Sequence, residues 1–260
     1  MALLKIAVLN STSAVTASEI QDWIAACKIQ MNRDYFRSAA KAGVVSITYY
    51  AKGSTPPLDA WWIALTDTAD VADALGYHDL TPSGLPFGKV FVETALLYGE
   101  KPSVTLSHEL LEMLGDPFVN QLVVDGGDIL QHWAKEACDS VEAFTYDITL
   151  PATTTKPQRN IPVSDFVLAN YWNPVPTKRP YSFKDNLTGP VPALAKGGYM
   201  AYVKNGVWSQ ITNFKTAESN PSARAKEVIK TRIDGPLDKR RIKRILPREL
   251  WVKTTTTKVA

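Results

Sequence analysis

Between residues 101 and 117, KPSVTLSHELLEMLGDP, three side chains have the types and spacing for metal chemistry. His108 and Glu112 are four residues apart, so in a helix they leave the same face one turn apart. Glu109 then stands about 100° around the axis from His108. A pair of metal ligands with an adjacent general base has this geometry. The spacing predicts one helix, punctuated at both ends. Pro102 suits the first turn, Gly115 suits a left-handed residue just past the end, and Pro117 prevents resumption. Val104, Leu106, Leu110, Leu111, Met113 and Leu114 surround the polar residues almost completely, which predicts a central, buried helix. Ionisable groups in such a place need partners or a metal.

The elements that must position this helix are legible in chain order. Residues 3–9 predict a strand. Ser18, with Gln21 three residues on, predicts the N-cap of a long helix ending near Gly43. Its apolar stripe is Ile20, Trp23, Ile24, Cys27, Met31 and Tyr35. Residues 44–51 and 60–66 predict strands, the second buried on both faces with Trp61 and Trp62 as core residues. Residues 67–86 contain Gly76, Pro82, Gly84 and Pro86 and predict a long connection, with His78 as a loop residue. Residues 88–94 alternate, predicting a strand with one face toward solvent.

Beyond Pro117 the pattern predicts a turn at Asp125-Gly126-Gly127, a second helix over residues 129–138 and a strand over 144–150. Residues 163–192 are rich in Pro, Asn and aromatics and predict irregular structure. Asn205-Gly206, between two alternating runs, is the strongest hairpin signal in the chain. The expected division is a first domain at 1–150, a β-rich, loop-rich extension at 151–215 and a basic arm at 216–260.

Composition sets outer bounds. The chain has 260 residues, 45% of them hydrophobic and 21% charged, in the range of ordinary globular proteins. No run approaches 18 uninterrupted apolar residues, and the N-terminus is too short and too alternating for a signal peptide. Two cysteines, Cys27 and Cys138, cannot build a disulfide framework, which suggests a reducing compartment. The expectation is therefore a cytoplasmic protein with no membrane association. The net charge of +3 hides an asymmetry: residues 224–253 carry eleven Lys/Arg against four Asp/Glu, leaving the rest of the chain at −4.

Strand, long helix, strands, edge strand and then a helix bearing His108-Glu109-x-x-Glu112 is similar to the order in zincin metallopeptidases, whose motif is H-E-x-x-H. The chain resembles that family over roughly residues 1–150, with Glu112 where the second histidine usually stands. The resemblance implies an α+β fold. It would have a mixed sheet, a long N-terminal helix and a central active-site helix, followed by a β-rich C-terminal part. It implies His108 and Glu112 as metal ligands and Glu109 as the base. In metzincins the motif runs on to a glycine and a final His; Gly115 matches, but Phe118 holds the ligand position. In gluzincins the third ligand is a Glu on a later helix with an acidic residue soon after. Glu136, with Asp139 behind it, fits that description and is the first choice for third ligand. Asp139, His132 and Asp116 are the alternatives, and His132 would share a helix face with Glu136. The edge strand would bind extended substrate, through Val90 and Val92.

A His, Glu, Glu set would bring two negative charges to a divalent ion. That lowers Lewis acidity and moves preference toward iron or manganese, with zinc still the leading expectation. Two functional readings follow. The first is a metal-dependent hydrolase of peptide bonds. The second is an inactive zincin-like scaffold, a structural or docking component of a larger assembly such as a phage virion. In that reading the KRRIKR arm at 239–244 tethers it to a protein partner. Nucleic acid is the weaker reading of the arm, because no DNA- or RNA-binding module accompanies it.

Overall fold

The computed structural model describes residues 3–38, 44–70 and 74–213; the basic arm lies outside the described residues. The fold is mixed α/β, with several sheets and few helices. Strands β1 (Leu3–Asn10), β2 (Val44–Tyr50), β3 (Trp61–Thr66), β4 (Gly76–Leu80) and β5 (Pro86–Phe91) form one sheet in the order β2-β1-β3-β5-β4. β1 pairs in parallel with β2 and β3, and β3 with β5, while β4 runs antiparallel to β5 at the edge. On β3, Ile63 and Leu65 are fully buried and Trp61, on the same face, packs partly buried against the main core, while Trp62, Ala64 and Thr66 on the other face are only partly buried.

Two expectations about this sheet are corrected. The glycines and prolines of 67–86 bracket a strand instead of excluding one: Gly76 opens β4, and Gly84 (φ +84°) turns the chain into β5. The edge strand is therefore β4, and β5 is covered on both sides by β3 and β4. Val90 on β5 and Val92, which opens helix α3 (Val92–Leu97; α2 is the short turn Phe36–Ser38), are fully buried in the main core. They pack the interior and present no exposed strand edge.

Helix α1 (Ala17–Ile29) begins two residues earlier than expected. Thr16 is the N-cap, its hydroxyl accepting from the Glu19 N–H while the Glu19 carboxylate accepts from the Thr16 N–H. A charged acceptor at this position binds the orphan amide more strongly than Gln21 would, which selects the earlier start. The helix continues through a π-helical turn, Gln30–Tyr35, before α2. Asp22 on α1 receives Arg159 at 2.6 and 2.8 Å and Lys156 at 2.8 Å, fastening the helix to the hairpin of β8 (Thr145–Leu150) and β9 (Arg159–Ser164). The Arg159 hydrogen bonds hold the Asp22 carboxyl below its ordinary pKa. Asp22→Asn should cost about 1 kcal/mol at neutral pH. Because the folded pKa is depressed, that contribution is present above the ordinary aspartate value of about 3.9 and lost as pH falls below it. Urea midpoints for parent and variant should therefore differ at pH 7 and converge in acid; a gap that stays constant with pH contradicts this account.

Helix α4 (Pro102–Gly115) is central, as its sequence predicts: every residue in it except Val104 is buried. It packs between the sheet, through β4 and β5, and the elements α1 and β9. Gly115 is the last helical residue and not a left-handed cap; the chain turns at Asp116 (φ −136°, ψ 72°). A side chain at 115 would press on the Tyr35 hydroxyl, 3.3 Å from the Cβ position, which gives a packing reason for glycine there.

The expected helix at 129–138 does not form. Residues Gln131–Ala134 are instead strand β7, paired with β6 (Leu122–Val124) and with β10 (Tyr199–Lys204). Trp133 buries itself in a second core with Tyr171, Tyr181 and Met200, and this burial with the pairing outweighs a short, weak helical pattern. The four-stranded sheet β11-β10-β7-β6 is completed by β11 (Val207–Thr212). The hairpin β10–β11 turns at Asn205 and Gly206, both with positive φ, as the dipeptide predicts. No helix among the described residues is long and apolar enough to cross a membrane.

Candidate metal centre

Helix α4 delivers His108, Glu109 and Glu112 into one buried polar cluster, at 9%, 6% and 4% exposure. His108 Nε2 lies 3.3 Å from Glu112 Oε1 and 3.5 Å from Asp139 Oδ1. Asp139 comes from the 3-10 turn Asp139–Val141 that follows β7. The ligand atoms of His108, Glu112 and Asp139 all lie within 4.8 Å of one another. Contacts of 3.3–3.5 Å are long for charge-assisted hydrogen bonds. They match the edges of a tetrahedron, about 3.3–3.4 Å, around an ion with bonds of about 2.0–2.1 Å. The residues therefore fit a small divalent cation.

The supporting contacts fit the same role. His108 Nδ1 lies 3.1 Å from Glu142 Oε2, an ion-pair contact outside hydrogen-bond geometry, and Nε2 is directed at Glu112 and Asp139. The Tyr199 side chain on β10 lowers the Asp139 pKa against the effect of burial, and the Cys138 N–H donates to Glu112 Oε1 at 3.2 Å. Cys138 itself is buried, and burial holds its thiol well above the ordinary value, so it is inert.

A second set of atoms meets the first at Glu112. His78 on β4 places Nδ1 3.4 Å from Glu109 Oε2 and 3.4 Å from Glu112 Oε2. Its Nε2 lies 3.7 Å from Glu136 Oε2. The ligand atoms of His78, Glu109 and Glu112 also lie within 4.8 Å of one another. β4 can come this close because residue 76 is glycine. A Cβ there would lie 2.8 Å from Glu109 Oε1 and 2.8 Å from the Lys89 carbonyl.

Electrostatics separate the carboxyls. Burial, then repulsion from Glu112, pushes Asp139 up to about 7. Burial also raises Glu109 despite attraction from His78 and His108. For Glu112 burial works the same way, but attraction and hydrogen bonding from His108 and His78 exceed it and hold this carboxyl well below the usual range. Burial disfavours charged His108, yet Glu112 and Glu142 beside it hold the ring well above its ordinary value.

Of the third ligands considered from sequence, Asp139 lies beside His108 and Glu112, while Glu136 faces His78. Glu136 and His132 do not share a helix face, since His132 is half-buried on β7 opposite Val124 and Val203. Asp116 is turned to structure: its carboxylate accepts the N–H groups of Asn120 and Gln121 at 3.1 and 2.8 Å, closing the loop after α4. Neither His132 nor Asp116 belongs to either cluster. Sequence reasoning missed His78, Tyr199 and Glu142. His78 had one available signal: it is one of three histidines in the chain. No family model, curated protein or solved structure matches the chain.

Proposed function

We propose that the protein is a metal-dependent hydrolase of peptide bonds, with a zincin-like arrangement around α4. The observation that carries this reading is the set of 3.3 and 3.5 Å contacts joining His108, Glu112 and Asp139, with Glu109 on the next helical position. The antiparallel edge strand β4 beside the HExxE helix supports it further.

Zinc is the leading occupant, and the two carboxylates in the ligand set also admit iron or manganese. A divalent ion there supplies positive charge that polarises a carbonyl and lowers the pKa of water. The chain's own groups do the rest. Glu109, its pKa raised by burial, accepts a proton at Oε2, and His78 Nδ1, 3.4 Å away, steadies the carboxylate in both of its protonation states. Glu142, 3.1 Å from His108 Nδ1, and Tyr199, which lowers the Asp139 pKa, flank the two ligands. An extended peptide would add to the outer edge of β4, main chain to main chain, bringing its scissile bond across the face that carries Glu109.

Glu109→Gln should lower cleavage of a quenched peptide library by about 10²–10⁴-fold, while the ion held by His108 stays bound. A Gln variant as active as the parent would sink the proposal. A parent that is folded, binds no divalent ion and cleaves nothing would favour the docking-scaffold reading instead.

A further inference from the structure

The two ligand sets are not independent, because Glu112 belongs to both. Its Oε1 faces His108 Nε2 at 3.3 Å, and its Oε2 faces His78 Nδ1 at 3.4 Å. We propose that His78, Glu109 and Glu112 form a second divalent-cation position, so that Glu112 bridges two ions with one oxygen on each. The proposal builds on the reading of His108, Glu112 and Asp139 as the first position.

Three observations carry it. First, the His78 contacts repeat the distances at His108. Both N···O separations of 3.4 Å match the edge of a tetrahedron about a zinc-sized ion. Second, each histidine has the same surroundings. One ring nitrogen is turned to two carboxylates, and the other faces a third, Glu142 for His108 and Glu136 for His78. Metal-bound histidines commonly have a carboxylate near the ring nitrogen that does not bind the ion.

The third observation is charge. Glu109, Glu112, Glu136, Asp139 and Glu142 surround the two rings, and four of the five are under 9% exposed. Among the described residues, the ion-pair contacts of Glu109, Glu112, Asp139 and Glu142 are with His78 and His108, not with Lys or Arg. Buried carboxylates are tolerated when paired or bound to metal. With all five carboxyls ionised, one divalent ion would offset two of their charges and two ions would offset four. A pair of ions sharing one carboxylate would sit about 3.5–4 Å apart, as in two-metal hydrolases. In that state Glu109 binds the second ion and does not serve as base, so its role as base belongs to the state with the His108 position alone filled. Glycine at 76 is what allows β4 to bring His78 against Glu109.

The test is the stoichiometry and magnetic coupling of Mn(II) on the full chain. Native mass spectrometry of metal-free protein titrated with Mn(II) should show two ions per chain. Electron paramagnetic resonance should show an exchange-coupled pair in place of the hyperfine sextet of an isolated ion. His78→Ala and, independently, Glu109→Gln should each reduce the count to one and restore the sextet; the Gln variant keeps the argument testable if the Ala variant fails to fold. A parent that binds one ion, lost on His108→Ala and kept on His78→Ala, overturns the second position and leaves the hydrolase reading standing. A single ion kept on His108→Ala overturns both. Two ions without coupling overturn the bridge.

Discussion

Adding zinc to the metal-free protein should raise its thermal midpoint by roughly 5–10 °C, and a chelator should reverse the rise. An ion that binds the native state alone stabilises it by about 2.7 kcal/mol at a hundredfold excess over Kd. For a chain of this size each kcal/mol moves the midpoint by about 2–4 °C. The effect is large here because the metal-free state starts at a disadvantage. Glu109, Glu112 and Asp139 are desolvated side by side, and burial and mutual repulsion push Asp139 up to about 7. Unfolding returns these groups to water, whereas an ion cancels their repulsion without exposing them. Glu112→Gln should remove most of the shift, since both oxygens of that carboxylate face a histidine. Scanning calorimetry with zinc, with EDTA and on the variant reads the outcome. A midpoint indifferent to both additives means that the cluster is satisfied by its own protons.

The second large effect is expected at a residue that touches no ligand. Gly198 packs against the turn that carries Asp139. A Cβ at 198 would fall 2.3 Å from the Ser140 carbonyl oxygen, 2.7 Å from its carbon and 3.1 Å from the Ala195 carbonyl. All three are backbone atoms, so no side-chain rotation relieves the contact. The Ser140 carbonyl already accepts the Ala195 N–H at 2.9 Å, and the Ser140 hydroxyl is bonded to Tyr171 at 2.8 Å. The turn can yield only by moving as a unit, which displaces Asp139. Gly198→Ala should therefore destabilise the fold by about 1–3 kcal/mol, the usual cost of overpacking, and weaken metal binding at the same time. Paired urea and metal titrations check both parts. A variant with parental stability and affinity would show that the turn is more plastic than its contacts indicate.

How much of this was legible in the sequence divides along one line. The α4 residues were readable because their relation is local: a spacing of four on a helix sets a shared face, and surrounding leucines set burial. The Asn205-Gly206 hairpin was readable for the same reason. His78 was not, because its place is fixed by pairing with Gly88, ten residues on, in an antiparallel edge whose short strand is hidden among glycines and prolines. Asp139 and Glu136 were visible as acidic residues at a plausible distance from Glu112, but their directions depend on β7, which looks helical over ten residues and is made a strand by β10. Val90 and Val92 alternate as an edge strand would, and the strand that covers them, β4, could not be inferred from alternation alone.

The β8–β9 hairpin carries a consequence for cooperativity. Two strands alone make a marginal sheet. Here β9 is stitched instead to helices: the Ser164 N–H donates to the Ser107 hydroxyl at 2.7 Å, Ser103 donates to the Pro162 carbonyl at 2.7 Å, and Gln30 donates to the Ser164 carbonyl at 2.8 Å. Ser103 and Ser107 lie on α4, five residues and one residue before His108. The helix that presents His108 and Glu112 thus has the sheet on one side and a segment from beyond residue 150 on the other. A chain cut at that point would leave the Ser107 hydroxyl and one flank of α4 facing water. Residues 159–164 act as the last wall of the centre, and its assembly waits on a part of the chain that contributes no ligand to it.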